Sequence, residues 1–238
     1  YEWISLRGHG AMSSSSGNTI GPLEALELVP PEILRYLIAS TKPKKAITFD
    51  AGMSLVELAD EYEREISRDL ETELLDESLS RRQKVAIEDV EGALRMSKIS
   101  DHESSNTSFR HLALLAQIKS DEEVLAVIGT ENIGKLERMK NWISGPHFPE
   151  ELKIQILEEP SSSLDSQIVM ALKTSLSTCE WDSDSISAAI NLAIADNEFS
   201  ARDCYRTLYL ATLGNEKGPK LAPILSELPR EKVLSLLT

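Results

Sequence analysis

Four consecutive hydroxyls, Ser13 to Ser16, stand between Met12 and Gly17-Asn18. A flexible serine loop with free backbone N–H groups can cradle the oxygens of a polyphosphate. Its flexibility suits a loop that closes at a transition state and reopens for release. Such a role is electrostatic: no GxSxG motif is present, and no His–Asp pair lies near these serines in sequence. The same composition also suits a plain solvent-exposed linker. Metal chemistry has little to work with. Cys179 and Cys204 lie far apart, and neither CxxC nor HxxxH spacing occurs, so no zinc site is expected. Both thiols are expected to pack as small apolar groups in a reducing compartment.

The second chemistry available is recognition of a polyanion. The net charge of −14 repels nucleic acid non-specifically, but the charge is uneven. Residues 1–49 carry five bases against four acids, whereas residues 57–77 carry ten acids against Arg64 and Arg68. That acidic run reads as a solvated helix face. Lys42, Lys44 and Lys45 leave the tip of an expected helix, and Arg110-His111 forms a second basic spot. Trp142 is interleaved with Lys135, Arg138 and Lys140, so it either stacks on a base or fills the core. Phe109, Trp181 and Tyr205 read as core.

These groups must be positioned by a mainly α chain of 238 residues. Tyr1 to Leu6 reads as a short strand and Ile47 to Asp50 as an extended segment. Pro31 opens a helix through Ile38 that places Leu34, Leu37 and Ile38 on one face. A helix from about Ser54 runs into the acidic stretch, and another spans Arg82 to Met96. Ser97 to Ser108 is the linker candidate. Helices are then expected over 109–118, 121–128, 133–143, 149–157, 164–176, 183–195, 201–213, 219–228 and 230–237. Ser200 stands at an N-cap position and Gly214 at C′. No stretch approaches a membrane span, and no signal peptide is visible. The chain starts at Tyr1 and reads as a fragment beginning inside something longer.

The succession from Glu2-Trp3-Ile4 through Met12-Ser13-Ser14-Ser15-Ser16 to Pro31-Glu32-Ile33-Leu34-Arg35-Tyr36 resembles the "MSKS" signature loop of class I aminoacyl-tRNA synthetases and the helix after it. The closest likeness is to class I lysyl-tRNA synthetases. It continues through Phe109 to Gln117, Leu136 to Ile143 and Phe199 to Leu221. The resemblance implies a short N-terminal strand and signature loop, then a connecting helical domain and an α-helical anticodon-binding bundle. Their boundaries fall at 1–50, 51–100 and 101–238. It assigns Ser13, Ser14, Ser15 and Ser16 to transition-state stabilisation, and Met12, the same serines and Gly17 to ATP. It makes Lys42, Lys44, Lys45, Arg110, His111, Arg138, Lys140 and Trp142 the tRNA-contacting set. ATP with Mg2+, tRNA(Lys), and lysine held by an upstream domain are the implied ligands of a cytoplasmic, monomeric enzyme with no membrane contact. Two departures stand out. Ala11, Ser14 and Ser16 occupy positions where the class places lysines, leaving Arg7 or His9 to lend charge. The "HIGH"-type motif is absent, so this piece alone is not expected to aminoacylate. The competing reading is a helical scaffold that binds a protein partner, in which Tyr1 to Leu6 has no reason to form a strand.

Overall fold

The computed structural model describes residues 4–6, 10–11, 20–99, 107–161 and 164–238. Met12, Ser13 to Ser16 and Gly17, with Arg7 and His9, lie outside the described residues, as does most of the 97–108 segment. The described chain is mainly α. Strands β1 (Ile4–Leu6), β2 (Gly10–Ala11) and β3 (Ile47–Phe49) form a sheet in the order β2-β1-β3. β1 pairs antiparallel with β2 and parallel with β3, in the register Ile4–Ile47, Ser5–Thr48 and Leu6–Phe49.

Helices α1 (Pro22–Leu28) and α2 (Pro31–Ser40) cross from the loop region to β3, each with proline in its first turn. On α2 the buried residues are Ile33 and Tyr36, while Ile38 is exposed. The expected face of Leu34, Leu37 and Ile38 is therefore displaced. A buried tyrosine must satisfy its hydroxyl. Tyr36 donates to the Glu61 carboxylate at 3.1 Å and packs edge-on against Tyr62, at 5.4 Å between ring centres. This fixes the rotation of α2 over α3 (Met53–Ile66) and α5 (Arg81–Ser97). Between them, α4 (Leu70–Leu74) is capped by Asp69, which accepts the Thr72 N–H at 3.1 Å.

The acidic run is mostly solvated, but Glu65 turns inward. Arg68 makes this tolerable by pairing with both Glu65 and Glu73. Helices α6 (Phe109–Ile118), α7 (Asp121–Ile128) and α8 (Ile133–Ser144) follow at the expected places. α7 opens on a Ser120–Glu123 capping box.

The chain forms two compact units, one of Tyr1–Ala116 and Ser120–Pro149, the other of Gln117–Lys119 and Glu150–Thr238. This differs from divisions at 50 and 100. α6 and α8 are bound into the first unit: Arg110 pairs with Asp60, Arg138 reaches the Leu26 carbonyl, and Trp142 reaches that of Ala51.

The second unit holds α9 (Ser166–Thr178), α10 (Ser183–Asp196), α11 (Ala201–Leu213), α12 (Leu221–Ser226) and α13 (Arg230–Leu236). Its core includes Leu172, Leu176, Ile186, Ile190, Leu208 and Leu225. Asp182 caps α10, its carboxylate accepting from the Asp184 and Ser185 N–H groups. The helix expected over 149–157 is absent. A 3-10 turn at Glu150–Leu152 leads into an extended segment. There Ile154 N–H donates to Gln117 at 2.9 Å and Leu157 N–H to the Thr212 carbonyl at 2.9 Å. Backbone donors satisfied by neighbouring helices have no need of a local ladder.

Candidate functional site

The basic turn between α2 and β3 is the most prominent candidate. Lys45 N–H donates to the Lys42 carbonyl at 3.1 Å, closing a four-residue turn with Pro43 in its second position. Lys44, in the third position, has φ of 70°, a left-handed value that glycine adopts freely and lysine does not. Lys42, Lys44 and Lys45 are all exposed, and no carboxylate pairs with them among the described residues. The turn is held at both ends. α2 enters it, and β3 leaves it with Ile47 and Phe49 buried and paired to β1.

The other residues of the expected set are differently occupied. Trp142 is fully buried, tilted against Phe109 at 5.1 Å and edge-on to Phe148 at 4.8 Å between ring centres. Its Nε1–H donates to the Ala51 carbonyl at 2.6 Å. No face of the ring is open to a base, so the stacking role is withdrawn and the core alternative holds. Lys140 pairs with Asp121 at 2.7 Å, and Arg110 clasps Asp60 at 2.6–2.9 Å. His111 is half-buried near the start of α6, with its backbone N–H bound by the Ser108 hydroxyl at 3.2 Å.

Arg138 does a different job. It donates Nε to the Leu26 carbonyl at 2.9 Å and Nη1 to Gly134 at 2.7 Å, while Asn141 reaches the Glu27 carbonyl at 3.3 Å. Both side chains thus satisfy carbonyls at the C-terminal end of α1, where cations and donors are favoured. The brace therefore anchors α1 against α8. The sequence reading missed the brace. The i, i+3 spacing of Arg138 and Asn141 was its one visible signal.

Beside this brace lies a cleft of about 380 Å³, whose walls include Glu32, Tyr62, Glu63, Phe109, Lys135 and Met139. Glu63 is half-buried there and accepts the Phe109 N–H at 2.5 Å. Burial pushes its carboxyl above the ordinary glutamate range, the Phe109 N–H pulls it down, Asp60 pushes it up and Arg110 pulls it down. A carboxyl raised in the folded state favours folding when protonated, and this contribution is lost as pH rises through its folded value. Glu63→Gln should therefore flatten the rise in stability seen on acidification toward the ordinary glutamate range. It should leave the neutral-pH stability unchanged or higher. Urea midpoints measured across pH check this; an unaltered pH profile contradicts it.

Comparison with known proteins places these observations in context. Residues 1–89 match the family of tRNA synthetases class I (K). A lysine–tRNA ligase of Thermoplasma volcanium is 30% identical over 245 residues, covering 97% of this chain and 46% of that protein. One from Picrophilus torridus is 27% identical over 248 residues, covering 98% and 47%. Lysine–tRNA ligase 1 of Methanosarcina acetivorans is 59% identical over 64 residues, covering 27% of this chain and 12% of that protein. The chain spans about half the length of the curated relatives that it matches along its whole length.

Proposed function

We propose, from the match of residues 1–89 to the family of tRNA synthetases class I (K), that this chain is the part of a lysine–tRNA ligase that closes on ATP phosphates and holds the tRNA. The whole enzyme would join lysine to ATP as lysyl-adenylate, releasing diphosphate. It would then pass the lysyl group to the terminal ribose hydroxyl of tRNA(Lys), releasing AMP. Ser13 to Ser16, with Met12 and Gly17, would meet the triphosphate oxygens of ATP, which travels with Mg2+. Hydroxyl and backbone N–H donors would do what lysines do elsewhere in the class.

The observation that carries this reading is similarity to lysine–tRNA ligases along 97–98% of the chain. The geometry adds support. Lys42, Lys44 and Lys45 form an exposed basic turn with no carboxylate partner among the described residues, suited to phosphate, and the turn leads into β3, which pairs with β1. β1 is paired on both sides, which a plain protein-binding bundle has no use for. Among the described residues no helix is long and apolar enough to cross a membrane. The catalytic assignment is tested by footprinting the complete polypeptide. ATP is expected to protect residues 12–17, and tRNA(Lys) to protect 42–45. Protection of neither leaves the scaffold reading in its place.

A further inference from the structure

The cleft of about 380 Å³ lies wholly within the first unit, and its walls carry Glu32 from α2, Glu63 from α3 and Lys135 from α8. Each of these charged side chains is half-buried. A charge drawn out of water costs stability unless another charge or a hydrogen bond answers it. Glu32 and Lys135 pair neither with each other nor with any other charged group among the described residues. On Glu63, Oε1 accepts the Phe109 N–H, while Oε2 accepts no hydrogen bond among the described residues.

The helix termini treat the two unpaired charges oppositely. Glu32 is the second residue of α2, where the helix N-terminus favours an anion. Lys135 is the third residue of α8, where the same field disfavours a cation. A half-buried lysine without an ion pair, at the wrong end of its helix, does not serve the fold. The rest of the cleft wall is largely apolar, with the buried Ile33, Leu112 and Met139 contributing to it.

We propose that this cleft binds a small aliphatic zwitterion, a chain of a few methylenes carrying a primary ammonium and a carboxylate. The ammonium meets Glu63 and Glu32, the carboxylate meets Lys135 at the start of α8, and the methylenes lie on the apolar wall. A cleft of this size suits a small organic ligand. A nucleic-acid phosphate is a poor occupant, because two carboxylates share the space with the one lysine. A plain alkylammonium leaves Lys135 unanswered, and a plain carboxylate leaves both glutamates so. The inference is independent of the ATP and tRNA roles proposed above.

The test uses the full chain, free of ATP and RNA, and 6-aminohexanoate as the probe, with hexylammonium, hexanoate and glycine beside it. Methyl NMR titrations locate and measure binding together. The probe should shift the Ile33, Leu112 and Met139 methyls. It should bind about tenfold or more tighter than hexylammonium or hexanoate, since each of these lacks one charged contact. Glycine has both charges without the chain, and should bind at least about tenfold more weakly than the probe. Glu63→Gln should weaken 6-aminohexanoate and hexylammonium about tenfold and spare hexanoate. Lys135→Met should weaken 6-aminohexanoate and hexanoate by a similar factor and spare hexylammonium. Both variants should melt no lower than the parent, because glutamine still offers an acceptor to the Phe109 N–H and methionine keeps an apolar stem. Should either variant unfold, the comparison of the four probes on the parent still decides. A dissociation constant for 6-aminohexanoate above about 10 mM overturns the inference, as do shifts confined to other methyls. Hexylammonium or hexanoate binding as tightly as the zwitterion overturns it too, since the cleft is then a site for one charge only.

Discussion

Replacing Trp142 with alanine is expected to cost the first unit about 3–5 kcal/mol of stability, the range for deleting a large buried aromatic. The ring is fully buried and supports both Phe109 and Phe148. Truncation leaves a cavity between α6, α8 and the 148 segment. It also strips the Ala51 carbonyl of the Nε1–H that satisfies it at 2.6 Å, and an orphaned buried acceptor adds its own penalty. Trp142→Phe separates the two contributions: most of the ring volume returns, but the hydrogen bond does not. It should recover much of the loss. Urea unfolding, read as a lower midpoint without a change in slope, measures both variants. If Trp142 met a base instead, the folded alanine variant would bind tRNA more weakly while melting like the parent. The expected result is the reverse: lost stability, with tRNA affinity unchanged in the fraction that remains folded.

That contrast shows what the sequence could and could not convey. Trp142 among Lys135, Arg138 and Lys140 looks the same whether the ring points in or out. An aromatic next to cations is ambiguous until the partner of its N–H is known, and that partner, Ala51, lies 91 residues away. Helices with clear caps were legible: α7 between Ser120 and Gly129, and α11 ending at Gly214. Residues 149–157 were misread although the signal was there. Glu151-Leu152-Lys153-Ile154-Gln155-Ile156 alternates polar and apolar, a period of two that belongs to extended chain. The residues alternate between exposed and half-buried accordingly. The rotation of α2 was not legible, because it depends on Tyr36 finding Glu61 on another helix. The division after Pro149 was hidden for the same reason, since long-range bonds from α6 and α8 decide it.

Of the eight residues the sequence offered for tRNA, Arg110 and Lys140 are in ion pairs, Arg138 holds backbone carbonyls, and Trp142 is in the core. The three lysines of the 42–45 turn are the ones left exposed without a carboxylate. An ion pair on the surface contributes little to affinity for a third party, because the cation's charge is already answered. Unanswered cations release counterions when they meet phosphate. Of these eight residues, the three lysines of the turn are therefore the ones placed to meet phosphate, in spite of a net charge of −14.

Changing the turn to Lys42→Gln, Lys44→Asn and Lys45→Gln should lower the salt slope of tRNA(Lys) binding by about two to three units. Lys44 sharpens the test. Its φ of 70° costs a lysine about 1–2 kcal/mol, whereas asparagine enters this region more readily. If Lys44 served the fold, Lys44→Asn would leave stability and binding both intact or weaken both. If it is present for its charge, Lys44→Asn alone should raise the melting midpoint or leave it unchanged while tRNA binding weakens. Asparagine would then make the better turn and the worse phosphate site. Filter-binding titrations across salt concentrations, run beside thermal melts, read the two effects separately. A triple variant with the parent's salt slope would show that the turn meets no phosphate, and its strained lysine would need another explanation.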